Sequence, residues 1–153
     1  MINLHQGDLL TAPVGIICHQ ANCQNTMGSG VAKSIREKFP DAWKADCEAA
    51  KSGFNVLGNI SVGKDISPSF VNFYIVNIYG QFRYGLDTRH TNYEAVYKGL
   101  EKTLEFTKSV GTPPIGFPYK MGSVRGGGDW RIIQKMIEVI FENYNNDVLI
   151  CKI

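Results

Sequence analysis

Two segments separated by most of the chain carry glycines where a backbone could close around an anion: Asn22-Cys-Gln-Asn-Thr-Met-Gly-Ser-Gly-Val31 and Gly122-Ser-Val-Arg-Gly-Gly-Gly-Asp-Trp130. Each follows a short apolar run and opens into helical periodicity, so each is expected to turn from a buried strand into a helix. Such a turn presents unpaired N–H groups at the positive end of a helix dipole, and glycine lets a ligand approach the main chain. One glycine-rich turn is ordinary α/β geometry. Two of them predict a diphosphate held between two loops. The familiar nucleotide signatures do not fit: Gly28-Ser-Gly30-Val-Ala-Lys33 has Lys where a dinucleotide fingerprint needs its third glycine, and Gly30-Val-Ala-Lys33-Ser34 lacks the Gly-Lys-Ser/Thr ending of a P-loop.

The elements that must position these loops alternate along the chain. Ile2–His5 reads as a short edge strand and Val14–His19 as a strand buried on both faces. Val31–Phe39 reads as a helix stopped by Pro40, and Asp41–Ser52 as a second helix ended by Gly53. Asn59–Lys64 and Phe70–Tyr79 are β-rich and are expected to pair as a hairpin, with Pro68 in the connection. Thr91-Asn-Tyr-Glu94 has the form of a capping box, after which Tyr93, Val96, Tyr97, Leu100 and Leu104 recur at helical spacing. Pro114–Phe117 is a short strand into the second loop, Trp130, Ile133, Ile137, Ile140 and Phe141 mark a helix, and Asp147–Lys152 is a final strand. This order predicts one domain over 1–153, a three-layer α/β/α sandwich with a mixed central sheet. Ligands of such sheets sit outside the carboxyl ends of the strands, where both glycine loops fall.

A chain of 153 residues with 44% hydrophobic content can bury a core without staples. The net charge of +2 gives no reason to invoke nucleic acid or a membrane surface, and Lys33, Arg36, Lys38 and Lys44 read as a solvated helix face. Cys18, Cys23, Cys47 and Cys151 are irregularly spaced with no Cys-x-x-Cys pair, so they read as reduced thiols rather than zinc ligands or a disulfide framework. No basic segment precedes an apolar core near the N-terminus, and no run approaches the ~18 apolar residues of a membrane span. A soluble, cytoplasmic monomer is expected.

Gln6-Gly-Asp8-Leu9 after the first strand, His19 to Val31 after the second, and Tyr119-Lys-Met-Gly-Ser-Val-Arg-Gly-Gly-Gly-Asp-Trp130 together resemble a macrodomain, the ADP-ribose-binding fold, over nearly the whole chain. The Met-Gly-Ser-Gly and Gly-Gly-Gly-Asp-Trp forms resemble the branch that holds yeast ADP-ribose-1''-phosphate phosphatase, human terminal ADP-ribose protein glycohydrolase and phage homologues. The resemblance implies that Asp8 accepts from the adenine amino group with the Leu9 backbone against the ring. A carboxylate suits that place because it cannot donate to the oxo group of another purine. Asp8 also reads as a turn aspartate that caps its own backbone. Asn22 would bind the distal ribose and His19 would orient the first loop. Met27, Gly28, Ser29, Gly30 and Val31 would wrap the diphosphate from one side; Pro118, Lys120, Met121, Gly122, Ser123, Val124, Arg125, Gly126, Gly127 and Gly128 would enclose it from the other. Neither a metal nor a cofactor is implied; ADP-ribosylated macromolecules are further candidate partners.

The chain departs from parts of that branch. The catalytic lysine of the protein glycohydrolase has no counterpart in Asn77-Ile-Tyr-Gly-Gln81-Phe-Arg83, and Gly126 stands where its loop aspartate is expected. The remaining reading is removal of the phosphate from ADP-ribose 1''-phosphate, which needs a positioned water, a base and donors for developing charge. Candidates are Asn22 to position water or the distal ribose, Asp129 as base, and His90 or Asp87. Asp129 reads equally as a helix N-cap, and His90 as a surface histidine. A hydrolase that removes ADP-ribose and a non-catalytic ADP-ribose reader stay open beside the phosphatase; an NAD-linked oxidoreductase lacks the acidic residue that would close a second Rossmann strand.

Overall fold

The computed structural model describes residues 2–67 and 70–153, so the connection at Pro68 lies outside the described residues. Six strands form one sheet: β1 (Ile2–Gln6), β2 (Ile16–Asn22), β3 (Ile60–Asp65), β4 (Phe73–Gln81), β5 (Ile115–Pro118) and β6 (Val148–Lys152). Their order is β1-β6-β5-β2-β4-β3, parallel throughout except for β3, which pairs antiparallel with β4 as the hairpin expectation required. Among the described residues four α-helices, α1 (Gly30–Lys38), α2 (Pro40–Ser52), α3 (Tyr93–Ser109) and α4 (Trp130–Ile140), cover its two faces. The result is the mixed α/β/α sandwich.

Alternation along the central strands splits the core into two layers. Ile16 and Cys18 of β2, with Val76 and Ile78 of β4, pack against Val96 and Leu100 of α3 and Ile133 and Ile137 of α4. Ile17 and Ile75 face the other way, onto Ile35 of α1, Phe39 and Ala42. Fully burying each such side chain stabilises the fold by roughly 1.5–3 kcal/mol, so these two layers hold the strand ends rigidly.

Several boundaries differ from the sequence expectations in ways that bear on the site. β2 runs to Asn22 because parallel pairing with β4 continues past His19, with a bulge between Ala21 and Asn22, so the strand delivers its last residue directly into the first loop. The N-cap of α3 is Asn92, whose Oδ1 accepts from Ala95 N at 3.0 Å, rather than Thr91. The basic side chains beside α1 are not simply solvated: the Arg36 guanidinium lies 3.7 Å from the Trp43 ring centroid and donates to Thr26 O at 2.9 Å. Among the described residues no helix is long and apolar enough to cross a membrane, and no group of three or more His, Cys, Asp or Glu could hold a metal ion.

Candidate functional site

A cleft of about 280 Å³ opens at the carboxyl ends of β2, β4 and β5, and both glycine loops line it. The first loop supplies Met27, Gly28, Ser29, Gly30 and Val31. Ser29 is the N-cap of α1 but its side chain makes no capping bond, which leaves the amides of the first turn unpaired at the positive end of the helix. The loop reaches this position through two residues with left-handed backbone, Asn25 (φ 55°) and Met27 (φ 42°). Asn22 sets the turn from the strand end: its Oδ1 accepts from Gln24 N at 2.9 Å and its Nδ2 donates to Thr26 Oγ1 at 2.8 Å.

The second loop supplies Pro118, Lys120, Met121, Gly122, Val124, Arg125 and Gly126 to the opposite wall. Its own bonds engage the amides of Met121, Ser123 and Gly128. Among the described residues the amides of Val124, Arg125 and Gly126 make no hydrogen bond. The loops meet: a methyl built on Gly30 would stand 3.5 Å from Arg125 Nε. Unpaired backbone donors of both loops thus belong to residues that line one space, an arrangement suited to a chain of phosphate oxygens.

A side-chain clamp that the sequence reading missed fixes the second loop. Gln20 Nε2 donates to Gln81 Oε1 at 2.7 Å and to Thr91 Oγ1 at 2.8 Å, while the Thr91 hydroxyl donates to Gly122 O at 2.7 Å. Gly126 O accepts from the amides of His90 and Thr91. Gly122 is held at φ 75°, and a Cβ there would fall 2.6 Å from Gln20 Oε1, so both conformation and space demand glycine. Gln20 follows the apolar run that ends at His19 in the sequence, and nothing local there marks it as a clamp. The same segment adds Tyr84, Gly85 and Gln81 to the cleft.

The remaining candidates divide by position. His19 lines the cleft and is 1% exposed. Asn77 spends its Nδ2 on Ala42 O and Ser61 Oγ, so its Oδ1 accepts from His19 Nε2–H at 2.6 Å, which leaves His19 Nδ1 as an unpartnered lone pair. Burial lowers the pKa of His19, opposed by the Asn77 bond and by Asp46, so the ring is neutral near pH 7. Asp8, Leu9, Ser123, Gly127, Gly128, Asp87, His90 and Asp129 are not part of the cleft lining. Asp8 caps a one-turn helix by accepting from Leu10 N at 3.0 Å, and Leu9 is buried beneath. His90 and Asp87 pair at 3.0 Å directly behind Gly85, where a Cβ would meet Asp87 Oδ1 at 2.8 Å and His90 Nε2 at 3.4 Å. The hydrogen bond from His90 holds the Asp87 carboxyl below its ordinary pKa. Asp129 is the N-cap of α4, accepting from Arg131 N at 2.9 Å, and its Oδ2 meets Arg131 Nη2 at 2.8 Å. Of its two sequence readings, the structure displays the cap.

Comparison with known proteins gives the same architecture a lineage. Residues 18–137 match the model of the Macro domain. An uncharacterised 17.5 kDa protein of enterobacteria phage T4 is 30% identical over 123 residues, covering 80% of this chain and 77% of that protein. A DNA ADP-ribosyl glycohydrolase of Mycobacterium tuberculosis is 25% identical over 147 residues, and the match spans 93% of this chain but only 39% of that protein. The solved macrodomain of Thermus aquaticus DarG superposes with a TM-score of 0.84 at 25% identity, covering 100% of this chain and 99% of that one. Thermosipho africanus DarTG in complex with ADP-ribose shares the fold, with a TM-score of 0.81 at 18% identity over 97% of this chain and 41% of that one. A family match over residues 18–137, which take in the clamp and both loops, shows that this chain belongs to the Macro domain family.

Proposed function

We propose that the cleft binds ADP-ribose and that the protein is a hydrolase of an ADP-ribose derivative, removing phosphate from ADP-ribose 1''-phosphate. The observation that carries this reading is the pair of facing amide rows, one at the uncapped start of α1 and one in the second loop, in a single cleft at the strand ends. The diphosphate lies between them. Adenine lies toward Asp8, whose Oδ2 is not used by the Leu10 cap, and the distal ribose lies toward Asn22 and Gly85. Water attack on the 1''-phosphorus breaks its bond to the distal ribose O1'', so a base must take the water proton and an acid must protonate the departing hydroxyl at that end of the cleft, while the facing amides anchor the diphosphate. His90 with Asp87 is the acid–base pair that abuts the cleft, through Gly85; Asp129 is committed to Arg131 and the α4 cap. An ADP-ribose 1''-phosphate phosphatase of Ajellomyces capsulatus is 45% identical over 40 residues, 26% of this chain and 16% of that protein.

A second reading, cleavage of an ADP-ribosyl linkage to a macromolecule, draws on the longer match to the mycobacterial DNA ADP-ribosyl glycohydrolase. At the end of β4 stands Gln81, whose amide is spent on Gln20 and Arg83 O, so no lysine occupies that strand end, while Lys120 lines the opposite wall. Incubation with ADP-ribose 1''-phosphate and with an ADP-ribosylated oligonucleotide separates the readings. Release of inorganic phosphate from the first, with the second left intact, is expected. Release of free ADP-ribose from the oligonucleotide with no phosphate from the first substrate would reverse the assignment.

A further inference from the structure

We infer that Asp46, a buried carboxylate on α2 outside the cleft lining, is the positioning residue that sets the diphosphate-ready path of the first loop through Asn25. The inference rests on the reading that this loop's amides hold the diphosphate, and it adds what holds the loop itself. Asp46 is 1% exposed, and among the described residues it makes no salt bridge. A carboxylate in such a place is costly unless hydrogen-bonded. Its two oxygens are divided: Oδ1 accepts from the Tyr79 hydroxyl at 2.7 Å and Oδ2 accepts from Asn25 Nδ2 at 2.9 Å.

Asn25 is where the loop needs holding. It has a left-handed backbone (φ 55°), as does Met27 two residues on (φ 42°), and for non-glycine residues such conformations persist when surrounding structure over-determines them. Cys23 and Gln24 are tied to the end of β4 and beyond through Gln81 O and Phe82 O, and Cys23 O accepts from Asn55. Asn22 bonds Gln24 and Thr26, Arg36 donates to Thr26 O, and the Asn25 side-chain amide donates to Asp46 Oδ2 and approaches Cys47 Sγ. The Asn25–Asp46 bond ties the left-handed part of the loop to a carboxylate that is 1% exposed. There Tyr79 OH meets Ser61 Oγ at 2.8 Å, Ser61 accepts from Asn77, and Asn77 accepts from His19 of the cleft wall. One chain of buried and part-buried hydrogen bonds therefore runs from the loop through Asp46 to His19 of the cleft wall. The titratable groups facing Asp46 are Tyr79 and Cys23, with Cys47 beside it and His19 farther along the chain.

Swapping the pair tests direct coupling. Asn25→Asp sets two carboxylates face to face. Its affinity for ADP-ribose should fall at least tenfold relative to wild type at pH 7.5. The double variant Asn25→Asp/Asp46→Asn restores a donor–acceptor pair with the roles exchanged and should recover affinity at pH 7.5. A residue that supports folding in general would give no such rescue. Asn25→Asp binding like wild type at pH 7.5, or a double variant no better than the single one, would overturn the inference. Should wild type itself give no binding heat, the ADP-ribose reading falls. The ligand-free amide NMR shifts of Gly28, Ser29 and Gly30 then decide: displacement in the single variant and return in the double support the role of Asp46, and unmoved shifts reject it.

Discussion

Asp129 and His90 looked alike as acid–base candidates in the sequence, and neighbouring residues separate them. Asp129 spends both oxygens on Arg131 and the first turn of α4. Asp129→Ala should cost about 1 kcal/mol of stability, read by chemical denaturation, while phosphate release stays within about twofold of wild type. His90→Ala is expected to reduce phosphate release about 10²-fold, the size of a lost general acid–base contribution, with ADP-ribose affinity little changed. Parallel kinetics and calorimetry on the two variants check both outcomes; a His90 variant with full turnover would remove the pair from the mechanism. His19 gives a prediction in pH. Its folded pKa is lowered by burial, so the unfolded chain binds more protons than the native state below the ordinary value near 6.5. Stability from this group is fully present above that pH and is lost as pH falls below it, at up to about 1.4 kcal/mol per pH unit. Denaturation of wild type and His19→Gln between pH 7.5 and 5 should show the steeper decline in wild type.

Among the elements, the second loop depends on the Gln20 side-chain amide, the Thr91 hydroxyl and the Gly122 carbonyl, which belong to three chain segments. Gly122→Ala forces a side chain into a left-handed position against Gln20 Oε1, so the clamp must shift. It should lower ADP-ribose affinity at least tenfold and destabilise the fold by about 1–3 kcal/mol, measured by calorimetry and thermal unfolding. The strands, helices and both loops were legible beforehand because apolar periodicity and glycine placement are local signals. Both glycine-rich loops lie at the cleft as their spacing implied. The clamp was not legible, because Gln20, Gln81, Thr91 and Gly122 are brought together only by the sheet order β5-β2-β4. Thr91 shows how a local pattern misleads: its sequence has the form of a capping box, but Asn92 takes the cap and the Thr91 hydroxyl turns to Gly122. Asp46 was equally hidden, since a carboxylate four residues from Ala42 on a helix gives no hint that its face is buried.

For the molecule as a whole, the two-layer core makes the cleft a largely preformed feature rather than one assembled by ligand. A ligand that binds only the native state stabilises it by mass action, about 2.7 kcal/mol at a hundredfold excess over Kd. ADP-ribose should therefore raise the thermal midpoint in a concentration-dependent way, and AMP alone, which lacks the second phosphate and the distal ribose, should raise it much less. The most direct test of the central claim is a calorimetric titration of the protein with ADP-ribose. A single site with a dissociation constant in the micromolar range, about −7 to −9 kcal/mol, is expected. No heat with ADP-ribose, and no displacement by it of any nucleotide that does bind, would contradict the assignment of the cleft.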